Sequence, residues 1–185
     1  MYANLASAWL REPACMENSL SNKRDLVNLL DALLVLRGFR RKKDDWYRDN
    51  GACMSVIGLG KSFYGGQFSI GLAFFLKEAN PELLPFPPFH WCHFRKALEL
   101  VVPNPQELKT ALNLESAMGS DQRTYLITQA VTQVAVPAIL QFNSEQNIAQ
   151  QIITNEDFEP YCKLTLKLAL ERGGYLTRKD LKLDL

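Results

Sequence analysis

The chain has 185 residues, of which 47% are hydrophobic and 22% charged, and its formal net charge is +1. This length suits one domain with a real core, and the charge gives no reason to expect a nucleic acid or an acidic membrane as the main partner. No apolar stretch approaches the roughly 20 residues that cross a bilayer, and no signal peptide is evident. The four cysteines are far apart and form no CxxC pair, which favours reduced thiols and a cytoplasmic location.

A capped, leucine-rich helix is the first element that the sequence predicts. Residues 1–20 show no clear pattern, and we expect this segment to dock weakly on the rest of the chain. Ser21 or Asn22 can cap a helix that runs to about Arg37. Gly38 is suited to the left-handed backbone conformation that the residue after a helix often adopts. The helical spacing predicts one apolar face, made of Leu26, Leu29, Leu30, Leu33 and Leu36.

Three consecutive antiparallel strands are predicted next. Residues 40–48 are polar and basic, which is typical of an edge strand, and Asn50-Gly51 predicts a hairpin turn. Residues 53–59 are mostly apolar, as in a central strand, and Tyr64-Gly65-Gly66 indicates a second turn. Residues 68–76 alternate, and the small side chains on one of their faces predict that a helix packs closely there.

The rest of the chain is predicted to be mostly helical. Prolines between residues 81 and 88 indicate an irregular connection, and residues 89–95 predict a fourth strand. Helices are expected at residues 106–114, from about 122 onward with a kink or break at Pro137, at 143–154, and at 157–172 with a stripe of Tyr161, Leu164 and Leu168.

This order of elements predicts the α+β class, because a run of strands is followed by a run of helices. We expect an antiparallel sheet of three to five strands, with the N-terminal helix and a C-terminal helical part packed on it. The chain, residues 1–185, should form a single domain, in which residues 21–104 supply the helix and sheet and residues 105–185 the helical part.

Two patterns suggest chemistry and then fall short of it. Residues 58–62, Gly-Leu-Gly-Lys-Ser, lack the earlier glycine and the following helix of a phosphate-binding loop. His90 and His93 flank Cys92, a combination that could serve a metal or a Cys-His nucleophile. On a strand, however, the two histidines face opposite sides, so we expect neither a metal nor another cofactor.

A basic cluster with aromatic neighbours lies on the predicted edge strand. Arg41, Lys43 and Arg48 surround Trp46 there. Such a mixture can bind single-stranded nucleic acid, but nearby aspartates dilute the charge. An exposed edge can also accept a strand from a protein partner, and Trp, Tyr and Arg are common at binding hot spots.

Several short motifs follow one another in an order that is typical of one family. They are Gly38-Phe39-Arg40-Arg41-Lys42, Trp46-Tyr47-Arg48, Lys61-Ser62, Phe68-Ser69-Ile70-Gly71-Leu72 and Cys92-His93-Phe94-Arg95. Over about residues 24–100 the chain resembles the bacterial domain of unknown function 4304. The resemblance implies an α+β domain of unsettled activity. Some small α+β families of similar appearance are immunity proteins that neutralise a toxin, which is an analogy at the level of fold.

Our first hypothesis from the sequence is a cytosolic module that binds one protein partner, with an immunity-type role as one form of it. The first alternative is an enzyme that binds a small molecule or a metal through residues 90–95. The second is a weak nucleic-acid binder at the basic edge. No complete catalytic motif is present, so enzyme activity is not preferred. The candidate binding residues are Arg41, Lys43, Trp46, Arg48, Lys61, Tyr64, His93 and Arg95.

Overall fold

The computed structural model describes residues 20–63 and 65–180. The helices are α1 (Lys23–Val35), α2 (Pro105–Leu112), α3 (Ser120–Gln129), α4 (Val136–Leu140), α5 (Glu145–Thr154) and α6 (Leu164–Arg172). The strands are β1 (Arg40–Lys42), β2 (Asp45–Asn50), β3 (Cys53–Lys61), β4 (Phe68–Leu76) and β5 (Phe94–Ala97). The expected weak docking of residues 1–20 falls, except for Leu20, outside the described residues.

The five strands form one antiparallel sheet in the order β1-β2-β3-β4-β5. The sheet, the N-terminal helix and the helices after it confirm the α+β class. The single edge strand expected at residues 40–48 is wrong, because these residues form the β1–β2 hairpin. Its turn includes Lys43, whose φ of 60° is uncommon for a residue other than glycine. Because this position is a lysine and not a glycine, the turn could not be recognised from the sequence.

Helix α1 begins as its sequence predicts and ends slightly earlier. The Asn22 side chain accepts hydrogen bonds from the N–H groups of Arg24 and Asp25, and the Asp25 carboxylate accepts one from the Asn22 N–H. This reciprocal pair satisfies donors that have no partner within the helix. Gly38 has the expected positive φ, 82°. Leu36 is not on the apolar face, since it is 86% exposed; the buried residues of α1 are Leu26, Val27, Leu30 and Leu34.

One face of the sheet carries the main core. There α1 and the C-terminal helices cover the inward side chains of β2, β3 and β4, including Trp46, Ile57 and Phe74. An aromatic cluster joins the sheet to the helical part, since the Phe74 ring lies 5.1 Å from the rings of both Phe94 and Phe142. The helical part is thus built onto the sheet through shared apolar contacts.

The other face is covered by the proline-rich segment and not by the helix that the small side chains led us to expect. Leu83, Leu84, Phe86 and Phe89 pack there on a buried cluster of Tyr47, Met54, Val56, Ala73, Phe75 and Cys92. The reason lies in two glycines. A Cβ atom on Gly58 would lie 2.7 Å from the Phe89 ring, and one on Gly71 would overlap the same ring. The small residues accommodate one aromatic side chain.

Replacing Gly71 with alanine should lower the free energy of unfolding by about 1–3 kcal/mol, because the added methyl group forces the Phe89 ring out of its position. Urea denaturation measures this loss. Gly119→Ala is the matched control, since a Cβ there meets no atom within 4 Å. Combining Gly71→Ala with Phe89→Leu should recover part of the loss. Equal stability of the Gly71 and Gly119 variants would contradict the packing.

Two later predictions also need correction. Residues 89–95 form a 3₁₀ turn at Phe89–Trp91 before β5, since the N–H of Trp91 donates to the carbonyl oxygen of Pro88 at 2.8 Å. The helix expected at 157–172 is a 3₁₀ turn at Glu159–Tyr161 followed by α6. Leu166 and Leu170 are the buried residues of α6, while Leu164 and Leu168 are exposed.

Pro137 lies at the start of α4, directly after a π-helical stretch at Ala130–Ala135. The helix is not divided at this proline, because Ser120–Leu140 runs on without a break; the irregularity is the π-helical stretch just before it. Among the described helices, none alone is long and apolar enough to cross a membrane; Ser120–Leu140 and Glu145–Thr154 pass that test only as a pair, bent by 103°.

Candidate functional site

A cleft of about 520 Å³ opens beside β4 and β5, where residues 159–163 approach the edge of the sheet. Its wall includes Gly71, Phe89, Arg95, Lys96, Tyr161 and Lys163. Three of these side chains are cationic, and no aspartate or glutamate belongs to the lining. The charged side chains of the cleft lining are therefore all positive.

The fold holds the two sides of the cleft together through the backbone. Phe94 forms a β-bridge with Cys162, and the N–H of Lys163 donates to the carbonyl oxygen of His93 at 2.8 Å. These contacts continue the sheet pattern outward by one short segment. Lys163 thereby comes beside Arg95, although the two are far apart in sequence.

Arg95 and Lys163 form a pair of like charges. Partial burial lowers the pKa of Lys163, and the positive charge of Arg95 lowers it further. The ammonium of Lys163 donates to the carbonyl oxygen of His90 at 2.8 Å. Among the described residues, the guanidinium of Arg95 has no hydrogen-bond or ion-pair partner. Two neighbouring cations without a counter-ion repel each other, so an anion placed between them would be favourable.

Lys96 contributes a third cation from the opposite side of β5. Its ammonium lies 4.6 Å from the centre of the Tyr161 ring and 3.4 Å from the carbonyl oxygen of Asp157. Neither contact neutralises the charge. Lys96 therefore adds to the positive potential of the cleft while its stem packs on an aromatic surface.

Backbone donors also point to this edge. The N–H of Lys77 donates to the carbonyl oxygen of Ala52, in the turn directly before β3. Successive residues of a strand direct their N–H and C=O groups to opposite neighbours, so those of Leu76, and of every second residue before it, point toward β5. By the same alternation, the N–H and C=O groups of Gly71 point toward β3. Ala97, which is opposite Gly71, must turn its N–H away from β4, at the edge where the cleft opens.

The predicted residues 90–95 divide between the core and the cleft. Arg95 lines the cleft, but His93 is 3% exposed, and its Nδ1 accepts a hydrogen bond from the N–H of Leu76 at 3.0 Å. Its ring stacks on Phe75. Burial raises the pKa of Cys92 to about 12, which keeps this thiol protonated and a poor nucleophile. Within the described residues, no group of three His, Cys, Asp or Glu side chains could hold a metal ion.

The predicted edge residues are less alike than the sequence suggested. Trp46 is fully buried, and its indole N–H donates to Asp31 at 2.9 Å, so it is a core residue and not a surface for contact. Arg48 donates to the carbonyl oxygen of Arg37 at 2.8 Å. The exposed residues of this set are Arg41, Lys43 and Lys61; Tyr64 lies outside the described residues.

The sequence analysis missed Lys96, Tyr161 and Lys163. Residues 157–172 look like one helix by composition, and in a helix Lys163 would be an ordinary surface lysine. Pro160 was the available signal, because a proline favours a helix start or a turn there. Only the bridge to Phe94 places this turn against the sheet.

The family model described as "Domain of unknown function (DUF4304)" matches residues 30–141. The chain belongs to this family. Arg95 and Lys96 lie inside the matched range, and Tyr161 and Lys163 lie beyond it. No curated protein and no solved structure matches the chain. Membership in DUF4304 carries no activity with it, so the chemistry of the protein has to be argued from the cleft itself.

Proposed function

We propose that this DUF4304 protein binds a small ligand that carries a phosphate-type oxyanion in the cleft beside β5. The observation that supports this is the pair of Arg95 and Lys163, two neighbouring cations in a cleft whose lining has no carboxylate, with Lys163 partly buried. Among our hypotheses from the sequence, this places ligand binding at residues 90–95 ahead of protein binding.

A phosphate group fits this arrangement better than a carboxylate. It carries up to two negative charges and several acceptor oxygens, so it can receive hydrogen bonds from Arg95, Lys163 and a backbone N–H at once. The planar guanidinium of arginine can donate two parallel hydrogen bonds to the oxygens of a phosphate, whereas the ammonium of lysine acts as a point charge. The half-buried rings of Phe89 and Tyr161 offer apolar contact to whatever the phosphate is attached to.

Calorimetric titration with inorganic phosphate, phenyl phosphate and acetate tests this proposal. We expect phosphate to bind and acetate to bind much more weakly, and phenyl phosphate to bind tightest because of the aromatic wall. Arg95→Gln and Lys163→Gln should each weaken phosphate binding about tenfold or more, which corresponds to a loss of about 1.4 kcal/mol.

Lys109→Gln is the matched control, because it removes the same charge from an exposed position that does not line the cleft. It should leave the dissociation constant for phosphate unchanged. If all three variants bind phosphate equally, or if the wild-type protein does not bind phosphate at millimolar concentration, the cleft is not an oxyanion site.

Binding of one protein partner is the second candidate function. The specific observation in its favour is β1, a basic strand at the open end of the sheet whose three residues are all exposed. An immunity-type role, with a toxin as the partner, is one form of this proposal. The free thiols of Cys53, Cys92 and Cys162 support a cytoplasmic location, which stays part of the proposal.

A further inference from the structure

The two edges of the sheet differ in how they are protected. Residues 159–163 lie beside β5, where Cys162 forms a bridge with Phe94. At the other end, β1 pairs with β2 alone among the described strands. An unpaired edge presents free N–H and C=O groups and can accept another strand.

The register shows which peptide group of β1 is free. The N–H of Leu59 donates to the carbonyl oxygen of Asp44 at 2.8 Å, so Asp45 turns its own peptide groups toward β1. Asp45 is opposite Lys42, which makes them a hydrogen-bonded pair. By alternation, Arg41 turns its N–H and C=O away from the sheet, ready to pair with an incoming strand.

The side chains around this free edge are strongly basic. Arg40, Lys42 and Lys43 form no ion pair with the described carboxylates, and Arg41 has only Asp31, at 3.7 Å. Lys42 lies over the ring of Phe86, with its ammonium 4.9 Å from the ring centre. The uncompensated charge calls for an acidic partner.

Apolar surface flanks the same edge. Val35 and Leu36, at the end of α1, are 52% and 86% exposed. On the other side of the sheet, a groove of about 310 Å³ runs beside Arg40 and is lined in part by Tyr47 and Phe86. A basic edge between apolar patches suits a strand that carries both acidic and apolar side chains.

We infer that β1 binds an extended acidic segment of a protein partner, which adds to the sheet as a sixth strand. This inference rests on the second candidate function and is independent of the cleft. Arg40 and Lys42 face the side of the sheet that the proline-rich segment covers, so alternate residues of the partner strand should be acidic there.

Fluorescence anisotropy with a labelled peptide of alternating glutamate and valine tests the inference. We expect this peptide to bind and its lysine–valine counterpart not to bind. The double change Arg40→Glu, Lys42→Glu should weaken binding about tenfold or more. The control, Lys109→Glu with Lys179→Glu, alters the same amount of charge at exposed positions elsewhere and should have no effect.

Backbone methylation of the peptide separates strand addition from simple charge attraction. Methyl groups on the amides that face β1 should abolish binding, while methyl groups on the amides that face outward should be tolerated. Equal effects from both patterns would overturn the inference. So would equal binding by both double variants, or tighter binding of an oligo(dT) strand that weakens steeply with salt, which would indicate a nucleic-acid site.

The proposals for the cleft and for β1 can be tested separately. Arg40→Glu, Lys42→Glu should bind inorganic phosphate as the wild type does, and Arg95→Gln should bind the peptide normally. If a protein partner is found that binds wild type and the β1 variant equally, protein binding stands while this inference falls.

Discussion

Trp46→Ala is expected to lower the free energy of unfolding by about 3–5 kcal/mol, the range for a large aromatic side chain removed from a core. Trp46 has no exposed surface, it packs in the main core, and its indole N–H donates to the Asp31 carboxylate at 2.9 Å. Chemical denaturation followed by circular dichroism measures the loss.

Trp91→Ala is the control of the same residue type. Trp91 is 50% exposed, so its removal should cost about 1 kcal/mol or less. Trp46→Phe separates the two contributions, since it keeps an aromatic ring and loses the hydrogen bond to Asp31, at a cost of about 1 kcal/mol for the bond. If Trp46→Ala were as stable as Trp91→Ala, Trp46 would be a surface residue after all.

This result matters for function because the sequence analysis named Trp46 as a candidate binding residue. A variant that unfolds loses every activity, so loss of partner binding in Trp46→Ala would say nothing about a surface. Arg40 and Lys42 are better probes of the β1 edge, since both are exposed.

The second large effect is a loss of stability in acid that depends on His93. Burial, with a smaller contribution from Lys163, lowers the pKa of His93 from 6.5 to about 4. Between these two values the unfolded chain binds a proton at this position and the folded chain does not. The free energy of unfolding must therefore fall as the pH drops through this window, by about 3 kcal/mol in all.

His93→Asn provides the comparison, because an asparagine oxygen can replace Nδ1 as the acceptor for the N–H of Leu76 but does not titrate. Urea denaturation of both proteins at several pH values from 7 to 4 gives the difference. We expect the two curves of stability against pH to converge as the pH falls. Parallel curves would mean that His93 is protonated in the folded state at the same pH as in the unfolded state.

The candidate site could be foreseen only in part. Arg95 follows an aromatic segment that stood out in the sequence, and it does line a cleft. His93 drew attention for the same reason, yet its ring nitrogen serves the backbone of β4. Lys163 gave no signal, since its position depends on a hydrogen bond to a residue far away in sequence.

Local interactions allowed the sequence by itself to determine α1, its Asn22 cap, the Gly38 end, the Asn50-Gly51 turn, the apolar strand β3 and the alternating strand β4. Each of these depends on neighbours in the chain or on periodicity. Tertiary structure alone decided that Trp46 is buried, that Phe89 covers Gly71, and that Lys163 meets Arg95. These contacts join segments whose meeting is set by the packing of the whole core, which no local pattern records.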